Sequence, residues 1–188
     1  MILTDITNRD SSFSNYLNKN NLVQVGAEVG VRYGKNAARI LKNWEGETIF
    51  LIDIWHDIET KKVAIERLNI YKDKCKFIHN SSVNALKQFD NESLDFCYID
   101  ASHKYNDVKL DIKNWWLKVK KGGIICGHDY SINEKLWLQK NPNRKYWPHI
   151  GTKKAVDEFV RENNLNVHVD IMRDTEPTSW YIKKSKQC

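Results

Sequence analysis

Short apolar blocks separated by charged stretches of helical spacing recur along this chain. Leu22-Val23-Gln24-Val25 forms one block, and Ala37, Ile40, Leu41 and Trp44 then follow at helical intervals. Ile49-Phe50-Leu51-Ile52 is continuously apolar, the pattern of a strand covered on both faces. A charged, helical stretch runs from about Asp57 to Tyr71. Cys75 to His79 and Phe96 to Ile99 read as the third and fourth strands. Val108, Ile112, Trp115, Trp116 and Val119 then define the clearest amphipathic helix in the chain. Gly122-Gly123 is expected to stop it, with Ile124-Ile125-Cys126 as a fifth strand.

Strand and helix in strict alternation predict βαβ units, hence a mainly parallel sheet with helices on both faces. The alternation ends after Asp129. Ser131 to Thr152 is polar and aromatic and reads as a long loop or small insertion, of the kind that forms lids. Lys153 to Arg161 looks helical. Val167 to Met172 and Ser179 to Lys183 look like two final strands, close enough in sequence to pair as an antiparallel hairpin. The expectation is one α/β domain over residues 1–188, with a helical extension at 1–20 and the insertion at 131–152.

Composition narrows the class. Apolar residues make up 41% of the 188, too many for a disordered chain. No apolar run approaches the roughly 20 residues of a membrane helix, and no signal peptide is visible. Cys75, Cys97, Cys126 and Cys188 are not spaced as metal-binding pairs, and two lie in strand-like runs. These features point to a soluble, cytoplasmic protein without disulfides. The formal charge is +6. Because the lysines are scattered, a solvated surface is favoured over a nucleic-acid interface.

The candidate chemistry lies at the strand ends. Glu28, Asp53 and Asp100 end predicted strands, and Asp129 follows another by two residues. Ligands of open α/β sheets bind beyond the carboxyl ends of the strands. Four acids on one rim repel one another, so a cation or ligand donors are expected to compensate them. Single aspartates also end strands as turn formers. The first turn, Gly26-Ala27-Glu28-Val29-Gly30-Val31-Arg32-Tyr33-Gly34, has glycines four apart. It is neither a dinucleotide fingerprint nor a P-loop. Glu28 would repel a pyrophosphate and attract a cationic ligand. Asp53 stands where such folds bind ribose hydroxyls. Ile54 and Trp55 could sandwich a purine, although core packing explains Trp55 equally well. Ser81 and Ser82 could meet an adenine edge or cap a helix.

Glu28-x-Gly30-x-x-x-Gly34 resembles the first motif of class I S-adenosylmethionine (SAM)-dependent methyltransferases. Ile99-Asp100-x-x-His103-x-Tyr105, Gly122-Gly123 and Gly127-His128-Asp129-Tyr130 together resemble the Methyltransferase 24 branch of that fold. Gly151 to Phe159 resembles its later helix. This branch is related to metal-dependent small-molecule O-methyltransferases. The resemblance implies a Rossmann-like, seven-stranded sheet closing in an antiparallel hairpin. It implies SAM across Glu28, Gly30, Gly34, Asp53, Asp100 and the Ser81 region. It also implies a divalent metal, magnesium or manganese, at Asp100, His128 and Asp129. His128 stands where an acid is usual, and a second hydrogen-bonding shell is its other reading.

Methyl transfer to a hydroxyl needs a proton acceptor or a Lewis acid. His103, beside Asp100, is the expected catalytic base; ordering the loop is its alternative. Tyr105, Tyr130, Trp137 and Trp147 could line an acceptor pocket, with core burial competing for the two tyrosines. The expected activity is O-methylation of a sugar or phenolic hydroxyl, the partner a small molecule; the sequence leaves both a monomer and a homo-oligomer open. The rivals are a metal-independent RNA or protein methyltransferase and a non-catalytic SAM- or sugar-binding module.

Overall fold

The computed structural model describes residues 12–130, 134–143, 150–169 and 178–185. Helix α1 (Ser12–Lys19) leads into strand β1 (Val25–Val29), then α2 (Lys35–Asn43) and β2 (Thr48–Asp53). Next come α3 (Ile58–Leu68), β3 (Cys75–His79), a short α4 (Ser82–Ala85) and β4 (Leu94–Ile99). The chain continues with α5 (Tyr105–Lys118), β5 (Val119–Gly127), α6 (Glu134–Lys140), α7 (Ile150–Glu162), β6 (Val167–Val169) and β7 (Trp180–Lys183).

The seven strands form one sheet in the order β3-β2-β1-β4-β5-β7-β6. β1 to β5 pair in parallel, whereas β7 runs antiparallel to both β5 and β6. The predicted mostly parallel sheet with a closing antiparallel hairpin is therefore the observed one. The strand order reverses between β1 and β4. The loops leaving those two strands diverge there and open a crevice at their carboxyl ends.

Alternate residues of each strand face opposite layers. Phe96 and Tyr98 of β4 pack in one cluster with Ile40 and Leu41 of α2 and with Trp44, the residue that follows the helix. Cys97 and Ile99 pack with Val108, Ile112 and Trp115 of α5 and with Val156 of α7. Cys75, Cys97 and Cys126 are buried and free, as their apolar surroundings predict. Among the described residues, no helix is long and apolar enough to cross a membrane.

Four elements depart from the sequence reading. β1 begins at Val25 rather than Leu22 and carries Gly26, Ala27 and Glu28 inside the strand. A Cβ at position 26 would sit 2.2 Å from the Phe96 ring, so the glycine belongs to sheet packing, not to the turn. Helix α5 stops at Lys118, and Gly122-Gly123 lie within β5. The ladder shifts register between Leu94 and Phe96. A Cβ on Gly123 would meet the Asp95 carbonyl at 2.5 Å, so these glycines mark a bulge, not a helix stop. The segment read as a loop contains helix α6, and α7 starts at Ile150, ahead of Lys153.

Candidate functional site

A cavity of about 920 Å³ opens at the switch point between β1 and β4. Glu28, Gly30, Asp53, Ile54, Ser81, Ser82, Asp100 and His103 all line it. Chain folding thus gathers acids from β1, β2 and the end of β4 into one wall.

Glu28 is the most buried of them, at 1% exposure. Its Oε1 accepts a hydrogen bond from Asn36 at 3.1 Å. Its Oε2 is buried with no hydrogen-bond partner among the described residues. Burial pushes the carboxyl up to about 8, and the neighbouring Asp100 and Asp53 add to the effect. A cationic group supplied by a ligand would fit that oxygen. Gly30 makes the approach possible. Its φ is +95°, and a Cβ there would lie 2.3 Å from the Asp100 carbonyl oxygen. Gly34, at φ +71°, precedes α2 and packs against Leu68 outside the cavity wall.

Asp53 is oriented by two backbone amides. Arg32 N–H donates to Oδ2 at 2.8 Å, and Trp55 N–H donates to Oδ1 at 2.7 Å. Trp55 itself turns into the core, 4% exposed, and its indole N–H donates to the Arg32 carbonyl. It does not line the cavity, so the expected purine sandwich by Trp55 is corrected. The indole is spent on tying the β1 and β2 loops together. Ile54, 45% exposed, is left to offer an apolar face. Ser81 caps α4 through Asn84 N–H and still lines the wall.

At the other end, His103 Nδ1 lies 3.0 Å from Asp129 Oδ2. Asp129 is buried with φ +64°, a backbone conformation uncommon outside glycine. Asp100, His103 and Asp129 each place one ligand-capable atom within 4.8 Å of the others. His128 Nδ1 approaches Asp129 Oδ1 at 3.4 Å and is not part of that group. The set brought together is therefore Asp100, His103 and Asp129, with His103 in the place the sequence reading gave to His128. Burial pushes the Asp100 carboxyl up to about 7; Asp129 raises it further and His128 opposes. Such a pair of acids could hold a divalent cation.

The two tyrosines face elsewhere. Tyr130 donates its hydroxyl to Asp157 Oδ1 at 2.6 Å, and Tyr105 donates to Glu158, both acids on α7. Neither tyrosine lines the cavity. Trp137 falls on α6, and Trp147 lies outside the described residues. Arg32, Lys35, Asn36, Arg39, His56 and Asp111 do line the cavity, and the sequence reading passed over them. Asn36 and Arg39 could have been found from their place in the first turns of the helix after the glycine loop. Asp111 could have been found as an acid inside the apolar stripe of α5.

Solved structures share this fold. An O-methyltransferase from Bacillus cereus, solved with S-adenosylhomocysteine (SAH), superposes with a TM-score of 0.67 at 13% identity, covering 91% of this chain and 78% of that one. An rRNA methylase from Streptococcus thermophilus gives 0.65 at 13% identity, covering 95% and 98%. An uncharacterised protein of Sinorhizobium fredii is 20% identical over 157 residues, covering 78% of this chain. An uncharacterised protein of Acanthamoeba polyphaga mimivirus is 26% identical over 132 residues, covering 63%. The chain spans only 16% of the first curated relative's length and 56% of the second's. The family model described as a methyltransferase domain matches residues 27–130. That is more than half of the chain, and the chain belongs to this family: its fold is that of a class I SAM-dependent methyltransferase domain.

Proposed function

We propose that the protein transfers the methyl group of SAM to a hydroxyl of a small molecule, a sugar or a phenol, with His103 receiving the hydroxyl proton. The observation that carries this reading is the His103–Asp129 pair, 3.0 Å apart and beside Asp100 in a cavity walled by acids.

The residues fit the cofactor. The unpartnered Glu28 Oε2 would accept from the cofactor's ammonium, and the amide-oriented Asp53 would accept from its ribose hydroxyls. Arg32, Lys35 and Arg39 on the same wall supply charge for its carboxylate. When bound, the cofactor supplies an electrophilic methyl on a sulfonium. The acceptor oxygen forms a bond to that carbon as the carbon–sulfur bond breaks, leaving a neutral thioether.

His103 handles the proton. Asp129 holds Nδ1, which fixes the ring and leaves Nε2 as the basic atom. A buried carboxylate in this position also stabilises the imidazolium that forms. Gly151 of α7 sets the loop: a Cβ there would meet the His103 carbonyl at 2.4 Å, so the helix abuts the base directly. Asp100 and Asp129 would offer carboxylate oxygens to a magnesium or manganese ion, which would lower the acceptor's pKa as a Lewis acid, with His103 kept off the ion as the base.

The test is methylation of a panel of sugar and phenolic hydroxyls from labelled SAM. His103→Ala should lower turnover by about 10²- to 10⁴-fold, the usual contribution of a general base, while SAH affinity is retained. Unchanged turnover in that variant would remove His103 from the reaction.

A further inference from the structure

Beyond Ser81 and Ser82 the cavity wall carries a carboxylate that the reaction above does not use. Asp111 of α5 lines the cavity beside Ser82, Val83 and Leu110. It is only 5% exposed. Val108, Ile112 and Trp115, its neighbours at helical spacing, are core residues, so an acid stands in an otherwise apolar stripe.

A single hydrogen bond reaches this carboxylate among the described residues. The Ser82 hydroxyl donates to Oδ1. Ser82 Oγ in turn accepts from the Trp115 indole N–H at 2.8 Å. No cation pairs with Asp111 among the described residues, and Asp107 stands nearby as a like charge. Burial, reinforced by Asp107, pushes its carboxyl up to about 6. With Oδ1 committed to Ser82, the carboxylate still presents an acceptor to the cavity it lines, which a ligand donor can complete.

The wall assigns that donor by position. Glu28 marks the amino-acid end of the cofactor and Asp53 its ribose, so the base occupies the remaining end, beside Ile54 and Ser81 to Val83. Adenine carries an exocyclic amine there, a donor that hypoxanthine replaces with a carbonyl acceptor. We propose that Asp111 is the residue that selects adenine, accepting the exocyclic N–H at Oδ2 while Ser82 and Trp115 hold the carboxylate in register. The assignment rests on the methyltransferase reading and adds to it the group that reads the base.

Calorimetric titration of the full chain with SAH and with its 6-oxo analogue, S-inosylhomocysteine, tests the assignment. The wild-type protein should bind SAH roughly tenfold or more tightly than the analogue, since a site built around a buried acceptor rejects a ligand lacking the donor. Asp111→Asn should lose most of that preference, because its amide can donate to the 6-oxo group. Ser82→Ala, which frees the carboxylate to swing, should narrow the preference as well. Asp53→Ala should weaken both ligands alike. Equal binding of the two ligands by the wild-type protein overturns the assignment, with no variant needed. Full discrimination retained by a folded Asp111→Asn protein overturns it too. If neither ligand binds the wild-type protein, the methyltransferase reading itself falls and takes this assignment with it.

Discussion

Glu28 shows what a single side chain costs before its ligand arrives. Its carboxyl rises from an ordinary 4.5 to about 8, with desolvation as the main cause. Between those two values the folded protein binds a proton that the unfolded chain does not. Stability is therefore greatest at low pH and falls as pH rises toward 8, by about 1.4 kcal/mol for each pH unit in that interval. Melting temperatures of the ligand-free protein from pH 5 to pH 8 should fall for this reason. Glu28→Gln should flatten the slope, though not abolish it, because Asp100 and Asp111 are raised in the same direction. Saturating SAH should flatten it as well, by giving the carboxylate a cationic partner. A wild-type slope that neither change affects would mean that Glu28 is not the titrating group.

Two elements set the walls of the site, and each has a residue on which it turns. The β1–α2 loop depends on Gly30. Alanine there would combine a positive φ with a Cβ 2.3 Å from the Asp100 carbonyl. Gly30→Ala should cost about 1–3 kcal/mol through backbone strain and should also abolish SAH binding, because the β4 end must move away from β1. Equilibrium urea unfolding and calorimetry would read the two effects separately. Helix α5 depends on Trp115, which is fully buried and packs edge-on against Phe89. Trp115→Ala should cost about 3–5 kcal/mol, seen as a melting point lower by on the order of 10 °C. Because the same indole holds Ser82, that variant should also weaken SAH.

At the scale of the whole molecule, the sheet brings the loops after β4 and β5 into contact and so creates the Asp100, His103 and Asp129 group. Adding manganese to metal-free protein should raise the melting temperature, as expected for a ligand bound only by the folded state. Asp129→Asn should erase that rise. Turnover that survives exhaustive chelation would leave the His103–Asp129 pair to work without a metal.

The amino-acid order alone dictated the layered α/β class, because continuous apolar runs alternating with helical periodicity have few other ways to bury themselves. It also determined that acids stand at strand ends, since residues 53 and 100 fall where the apolar runs stop, and both line the cavity. Tertiary structure alone decided which glycines turn the chain and which pack the sheet. Gly26 and Gly123 read as turn or stop signals, yet Phe96 and Asp95, distant in sequence, demand them inside strands. It also decided which aromatic and acidic residues face the cavity. Trp55 and Trp115 are equally apolar as letters, but one indole closes a loop and the other holds a serine in the cavity wall. Hydrophobic periodicity records which face of an element is buried. Direction toward a cavity depends on residues tens of positions away, and no local pattern encodes it.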